Sequence, residues 1–135
     1  MNVADIADEV RAALDTIEGL HVPEWGVKRA SGETALVTLP EQIEYDTTYG
    51  RGTDRIPDLE VIILVPRPTT PEAVRAVAKY ADGSGDHSVK AVVEAYAYTA
   101  CDAVRVASAE FDVATYAGTE YLAALFHLDI TGQGG

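Results

Sequence analysis

The chain has 135 residues, 47% of them hydrophobic, the size of one domain with a single core. Its 22 acids against 10 bases give a formal charge of −12, which favours solubility and repels phosphate backbones, so ordinary nucleic-acid binding is disfavoured. No apolar run approaches the ~18 residues that a membrane-spanning helix needs, and the single cysteine, Cys101, excludes an internal disulfide or a multi-cysteine metal site. The opening MNVADIADEV carries acids and no basic region, so a signal peptide is not expected and a reducing, cytosolic origin is.

The first predicted element is a helix over residues 3–18. Val3, Ile6, Val10, Leu14 and Ile17 recur at helical spacing, which assigns Asp8, Arg11, Asp15 and Glu18 to solvent. Asn2 is placed to cap this helix, with Asp5 as a weak capping-box partner, and Gly19 to end it. A short strand or extended passage over 21–28, a turn at Ser31–Gly32 and a short strand over 35–39 follow, the last stopped by Pro40.

The stretch over 41–67, EQIEYDTTYGRGTDRIPDLEVIILVPR, reads as two strands and a long connection. Its second strand, LEVIILV over 59–65, is the most apolar run of the chain and suits the centre of a sheet. In the first strand Ile43, Tyr45 and Thr47 share one side, and Glu44, Asp46 and Thr48 the other. The intervening YGRGTDRIPD is too long for a tight turn.

Beyond it, PRPTTPEAVRAVAKYADGSG predicts a helix capped by Thr70, with Pro71 in its first turn and Val74, Val77 and Ala81 buried. A second, shorter helix is expected after GSGDH, capped by Asp86, with Val89, Val92, Val93 and Tyr96 on its apolar side. The last third predicts a strand pair. Val104 and Val106 lie on one parity but Phe111 and Val113 on the other, so a bulge near 107–109 is expected. Gly118 makes the turn. Leu122, Ala124, Phe126, Leu128 and Ile130 then line one face, opposite Tyr121, Leu125, His127 and Asp129, and 131–135 reads as a frayed tail. This order predicts an α+β fold, a mostly antiparallel sheet with an N-terminal helix and two central helices packed on it.

The residues offer no catalytic set. GRG at 50–52 lacks the setting of a phosphate loop, and GSGDHS reads as a helix-to-helix turn, because Asp86 opposes an anion. His21, His87 and His127 lack metal-ligand spacing and read as surface or edge histidines. Cys101 has no basic neighbour and reads as an inert thiol, and the carboxylate pairs Asp82 with Asp86 and Glu44 with Asp46 are expected by chance in so acidic a chain. Tyr45 and Tyr49 flank the 48–58 connection together with Arg51 and Arg55, residue types that interfaces favour. A long open strand pair likewise needs a partner, a cover or a deterrent.

Three runs in order, IEYDTTYGRGTDRIPDLEVIILVPR, AVAKYADGSGDHSVKAVVEA and AVRVASAEFDVATYAGTEYLAALFHLDI, resemble the tail terminator (tail completion) proteins of long, non-contractile-tailed phages infecting actinobacteria. The most specific parts are Tyr45 to Arg55, Tyr80 to Ala91 and Gly118 to Phe126, and the likeness covers most of the chain. The resemblance implies a small α+β virion protein, assembled in the host cytoplasm, that forms a ring, typically a hexamer, on the last layer of the tail tube. It would end tube polymerisation, present its other side to the head-completion proteins of the connector, and let DNA pass through its channel. It implies no enzymatic activity, no cofactor and no metal. On that reading Tyr45, Tyr49, Arg51, Asp54 and Arg55 are the expected subunit or tube contacts. Other classes compatible with the composition are another neck component, such as a head-completion protein, and a small acidic module that mimics DNA.

Overall fold

A computed structural model describes residues 1–24, 32–46 and 52–133. Three helices and four strands follow one another as α1 (Val3–Leu14), β1 (Thr34–Val37), β2 (Thr53–Pro66), α2 (Pro71–Ala81), α3 (Val89–Ala95), β3 (Ala103–Tyr116) and β4 (Thr119–Gln133). The strands form one sheet in the order β1-β2-β4-β3, each neighbouring pair antiparallel. This is the α+β architecture that the alternation of patterns predicts.

β2 and β4 form the centre. Leu59, Val61, Ile63 and Val65 stand opposite Leu128, Phe126, Ala124 and Leu122, and these side chains point to the face that the helices cover. α1 adds Ile6, Ala7, Val10 and Leu14, α2 adds Ala73, Val77 and Tyr80, and α3 adds Val89 and Val93. Burial of this apolar surface is the main stabilising term of the domain. On the far face Ile62, Leu64, Tyr121 and Ala123 form a second, smaller cluster, with Leu36, Leu125, Ala114 and Tyr116 packed against it.

α1 starts where expected, with the Asn2 side chain accepting from the N–H groups of Ala4 and Asp5. It ends at Leu14 rather than at 18. Thr16 and Ile17 donate to the carbonyls three residues back, and the Thr16 hydroxyl also takes the Ala13 carbonyl, so the chain tightens into turns that still bury Ile17. Arg11, expected in solvent, is buried and paired with Asp8.

In α2 the Thr70 cap and Pro71 stand as predicted. The buried stripe is Ala73, Val77 and Tyr80 instead of Val74, Val77 and Ala81, and Val74 is 57% exposed. Tyr80 sets that rotation, because its ring is fully buried and its hydroxyl donates to Glu33 at 2.9 Å. The cap of α3 is Ser88, not Asp86. Its buried hydroxyl oxygen accepts from Ala91 N–H and donates to the Asp82 carbonyl, which joins the end of α2 to the start of α3.

The larger revision concerns 41–67. Of its first predicted strand, the described residues 41–46 form a single bridge, in which Glu44 and Arg55 exchange two backbone hydrogen bonds of 2.7 and 2.8 Å, while Thr47 and Thr48 lie outside the described residues. The predicted connection is instead strand from Thr53 onward, paired with the far end of β4, and Pro57 is absorbed where the register shifts between Ile56 and Leu59. For the same reason residues 131–133 are strand and not tail: Thr131, Gly132 and Gln133 pair with Arg55, Asp54 and Thr53. Gly132 also packs tightly, since a Cβ there would lie 2.4 Å from the Met1 sulfur and 3.3 Å from the Cys101 Cα.

β3 and β4 form a hairpin with a two-residue turn. Ala117 and Gly118 both have positive φ (51° and 78°), which matches the twist of the flanking strands. The expected bulge is present, with the register shifting between Val106 and Ser108. Val104 and Val106 lie opposite Ile130 and Leu128, and after the shift Ala109, Phe111 and Val113 lie opposite Phe126, Ala124 and Leu122, on the same face.

Candidate functional site

The far face of the sheet gathers most of the strand charges. Arg55 and Thr131 pair across β2 and β4, Arg105 stands opposite Asp129, and Glu60 stands opposite His127. The Arg55 guanidinium donates from Nε and Nη2 to the two Asp129 oxygens, both at 3.0 Å, and lies 3.8 Å from Glu44. Two parallel bonds fix both planes in a way a lysine could not reproduce.

Two residues from Asp129 along β4, His127 sits among carboxylates drawn from two neighbouring strands. Its Nδ1 is 2.8 Å from Asp58 Oδ1 on β2, and its Nε2 is 3.2 Å from Glu110 Oε1 on β3. Nε2 is buried and makes no hydrogen bond. The ligand atoms of Asp58, Glu60 and His127 all lie within 4.8 Å of one another. The Asp58 hydrogen bond raises the imidazole pKa; burial pulls it down, and the charges of Asp58, Glu110 and Glu60 add to the rise. Such a group can hold a proton or a cation between strands. Sequence spacing hid it, because the four residues lie on three strands. The signal that finds it is the register of β2 on β4, which sets Glu60 beside His127.

The residues expected at an interface separate in the structure. Tyr49 and Arg51 lie outside the described residues. Tyr45 is 71% exposed and free to contact a partner. Asp54 is only 5% exposed, and its carboxylate accepts from Asp46 N–H at 3.1 Å, which holds Asp46 in its left-handed conformation (φ 52°). Arg55 is engaged with Asp129. Asp54 and Arg55 therefore brace the end of β2 within the chain.

The exposed apolar surface lies elsewhere. β3 is the last strand of the sheet. Near its start its edge is answered by α3, where Glu94 accepts from Val106 N–H at 2.9 Å. From 107 to 116 no described strand pairs with its outer side, and Phe111 and Val113 are 58% and 52% exposed there. Asp112 accepts from Val113 N–H, and Glu110 and Asp112 are the charges that edge carries.

Among the described residues Cys101, His87 and Asp86 form no common cluster. Cys101 is buried in the main core, and burial, with the charges of Glu9 and Asp102, pushes its thiol up to about 11, so it stays protonated near neutrality. His87 and Asp86 line a shallow depression with Thr16, Glu18 and Val92. No described helix is long and apolar enough to cross a membrane.

No protein-family model matches the chain, and no curated protein matches it in sequence.

Proposed function

We propose that this chain is the subunit of a ring that caps a phage tail tube, ends its polymerisation and joins the tail to the head-completion proteins of the connector. The observation that carries this reading is the outer edge of β3, a strand of 14 residues that ends the sheet and leaves Phe111 and Val113 uncovered. A long edge with exposed apolar side chains is a liability for a lone molecule and an asset for one that assembles. The opposite border of the sheet is β1, four residues long, whose ladder covers only residues 61–64 of β2. One subunit thus offers a long edge and a short, stepped one. Unlike edges of this kind make a heterologous contact, the kind that closes into a ring when the rotation fits.

The three ordered sequence runs supply the particular ring, a tail terminator of hexameric type, with Tyr45 at a second contact. The charge of −12 is compatible with a channel that DNA traverses without sticking. The α+β fold is the kind that the resemblance implies.

Sedimentation velocity and negative-stain microscopy of the pure protein, alone and with purified tail tubes, test the reading. A ring with a central channel, or a cap on one end of each tube, is expected. A protein that remains monomeric and leaves the tubes growing would overturn it.

A further inference from the structure

Asp58, Glu60, Glu110 and His127 place three carboxylates around one imidazole on three adjacent strands. Among the described residues no lysine or arginine pairs with Asp58, Glu60 or Glu110, so the imidazole is their only cationic partner. A single imidazolium can offset one of three negative charges, in a chain already at −12. The arrangement therefore gathers three carboxylates about His127, Asp58 and Glu60 from β2 and Glu110 from β3, more negative charge than one imidazolium offsets.

We propose that Asp58, Glu60 and His127 bind a divalent first-row transition-metal ion, with Glu110 steadying the ring from its other side. Three observations support this assignment. The donor atoms of the three residues lie within 4.8 Å of one another, close enough to converge on one ion with small side-chain movements. Asp58 Oδ1 and His127 Nδ1, joined at 2.8 Å by a hydrogen bond, need open only to the ~3–3.5 Å between neighbouring ligand atoms that metal–ligand bonds of about 2.0–2.2 Å produce. The third is a buried ring nitrogen, Nε2, that faces Glu110 without a hydrogen bond.

A metal-binding histidine usually gives its second nitrogen to a carboxylate, which fixes the tautomer, and Glu110 stands where that partner would stand. The donor set of one nitrogen and two oxygens favours zinc or manganese over magnesium, which prefers oxygen alone and dehydrates reluctantly. Water would complete the coordination on the exposed Asp58 side. An ion held there would tie β2, β4 and β3 together midway along the sheet. It is independent of ring formation and stands or falls separately.

The test titrates zinc, manganese and magnesium chlorides separately into the full chain after chelator treatment, read by calorimetry and by thermal melting. One zinc or manganese ion per chain is expected, with a melting temperature that rises with ion concentration, and with magnesium far weaker. His127→Gln and the double variant Asp58→Asn with Glu60→Gln should each abolish the shift. Glu110→Gln should keep the stoichiometry and weaken affinity by about 10-fold or more. Circular dichroism of each variant confirms that it is folded, and Co2+ absorption in the wild type reports the coordination geometry of the bound ion. No saturable binding at millimolar zinc or manganese, or binding that His127→Gln and the double carboxylate variant leave unchanged, would overturn the assignment.

Discussion

Arg55 and Asp129 face each other across β2 and β4 through two hydrogen bonds of 3.0 Å, and the same arginine meets Glu44 from the segment before β2. One guanidinium thus ties the sheet to the chain that enters it. Arg55→Lys keeps the charge and loses the two-point contact. Faster hydrogen exchange at the Glu44 and Arg55 amides is expected, with little change in global melting. Unchanged exchange would mean that the backbone bridge holds without the side chain.

Phe111 and Val113 are more than half exposed, so the isolated subunit gains little from them. Phe111→Asp with Val113→Thr should shift monomer stability by no more than about 0.5 kcal/mol. It should nevertheless prevent ring formation and tube capping. Sedimentation of the variant beside the wild type checks this, and an intact ring would move the interface away from β3.

Glu9 reaches from α1 to the loop before β3. Partial burial pushes its carboxyl pKa up, but the N–H groups of Thr99 and Ala100 and the Thr99 hydroxyl bond the anion and bring the net value below 4.5. Because the folded pKa is depressed, this contribution is complete above the unfolded value and fades as pH falls through the folded one. Glu9→Gln should cost about 1 kcal/mol at neutral pH, allowing for solvent screening. Denaturant titrations should show the gap closing below about pH 4.5.

Ser88 and Asp86 offer a paired comparison at the start of α3. Ser88→Ala removes the cap on Ala91 N–H and the link to the Asp82 carbonyl, and should cost about 1–2 kcal/mol. Asp86→Ala should stay within about 0.5 kcal/mol. Urea unfolding of both variants checks the order, and the reverse order would return the cap to Asp86.

Ala117 occupies the first central position of the β3–β4 turn with φ at 51°, a conformation that a Cβ disfavours. Ala117→Gly should therefore stabilise the chain by about 0.5–1 kcal/mol, seen as a higher melting temperature.

The elements with strong local signals were legible in the sequence. The Asn2 and Thr70 caps, the apolar strand over 59–65, the even-numbered face of β4 and the bulge after Val106 all depend on neighbours within a few positions. What escaped depends on partners distant in the chain. The turn of α2 about its axis is set by Glu33, which holds Tyr80. The strand character of Thr53 to Asp58 and of Thr131 to Gln133 is mutual, since each is the other's ladder partner and neither is apolar enough to declare itself. The cluster around His127 escaped similarly, because its members become neighbours only when β2, β4 and β3 are set side by side. Of the described interface residues Asp54 is buried and Arg55 is held by Asp129 although its side chain is partly exposed, and both looked like loop charges until the loop proved to be strand.

The shift at Val106 and Ser108 works as an odd–even switch in the reading of β3. Before it, even-numbered residues face the helices; after it, odd-numbered ones do. An unbroken alternation that kept every residue of β3 and paired Ala107 like its neighbours would remove the switch. Glu110 and Asp112 would then point toward the helix-covered core side, and Phe111 and Val113 would turn to the face where Leu125 and Tyr121 lie. One residue of slack thus decides whether the outer border of this sheet presents oil or acid to whatever approaches it.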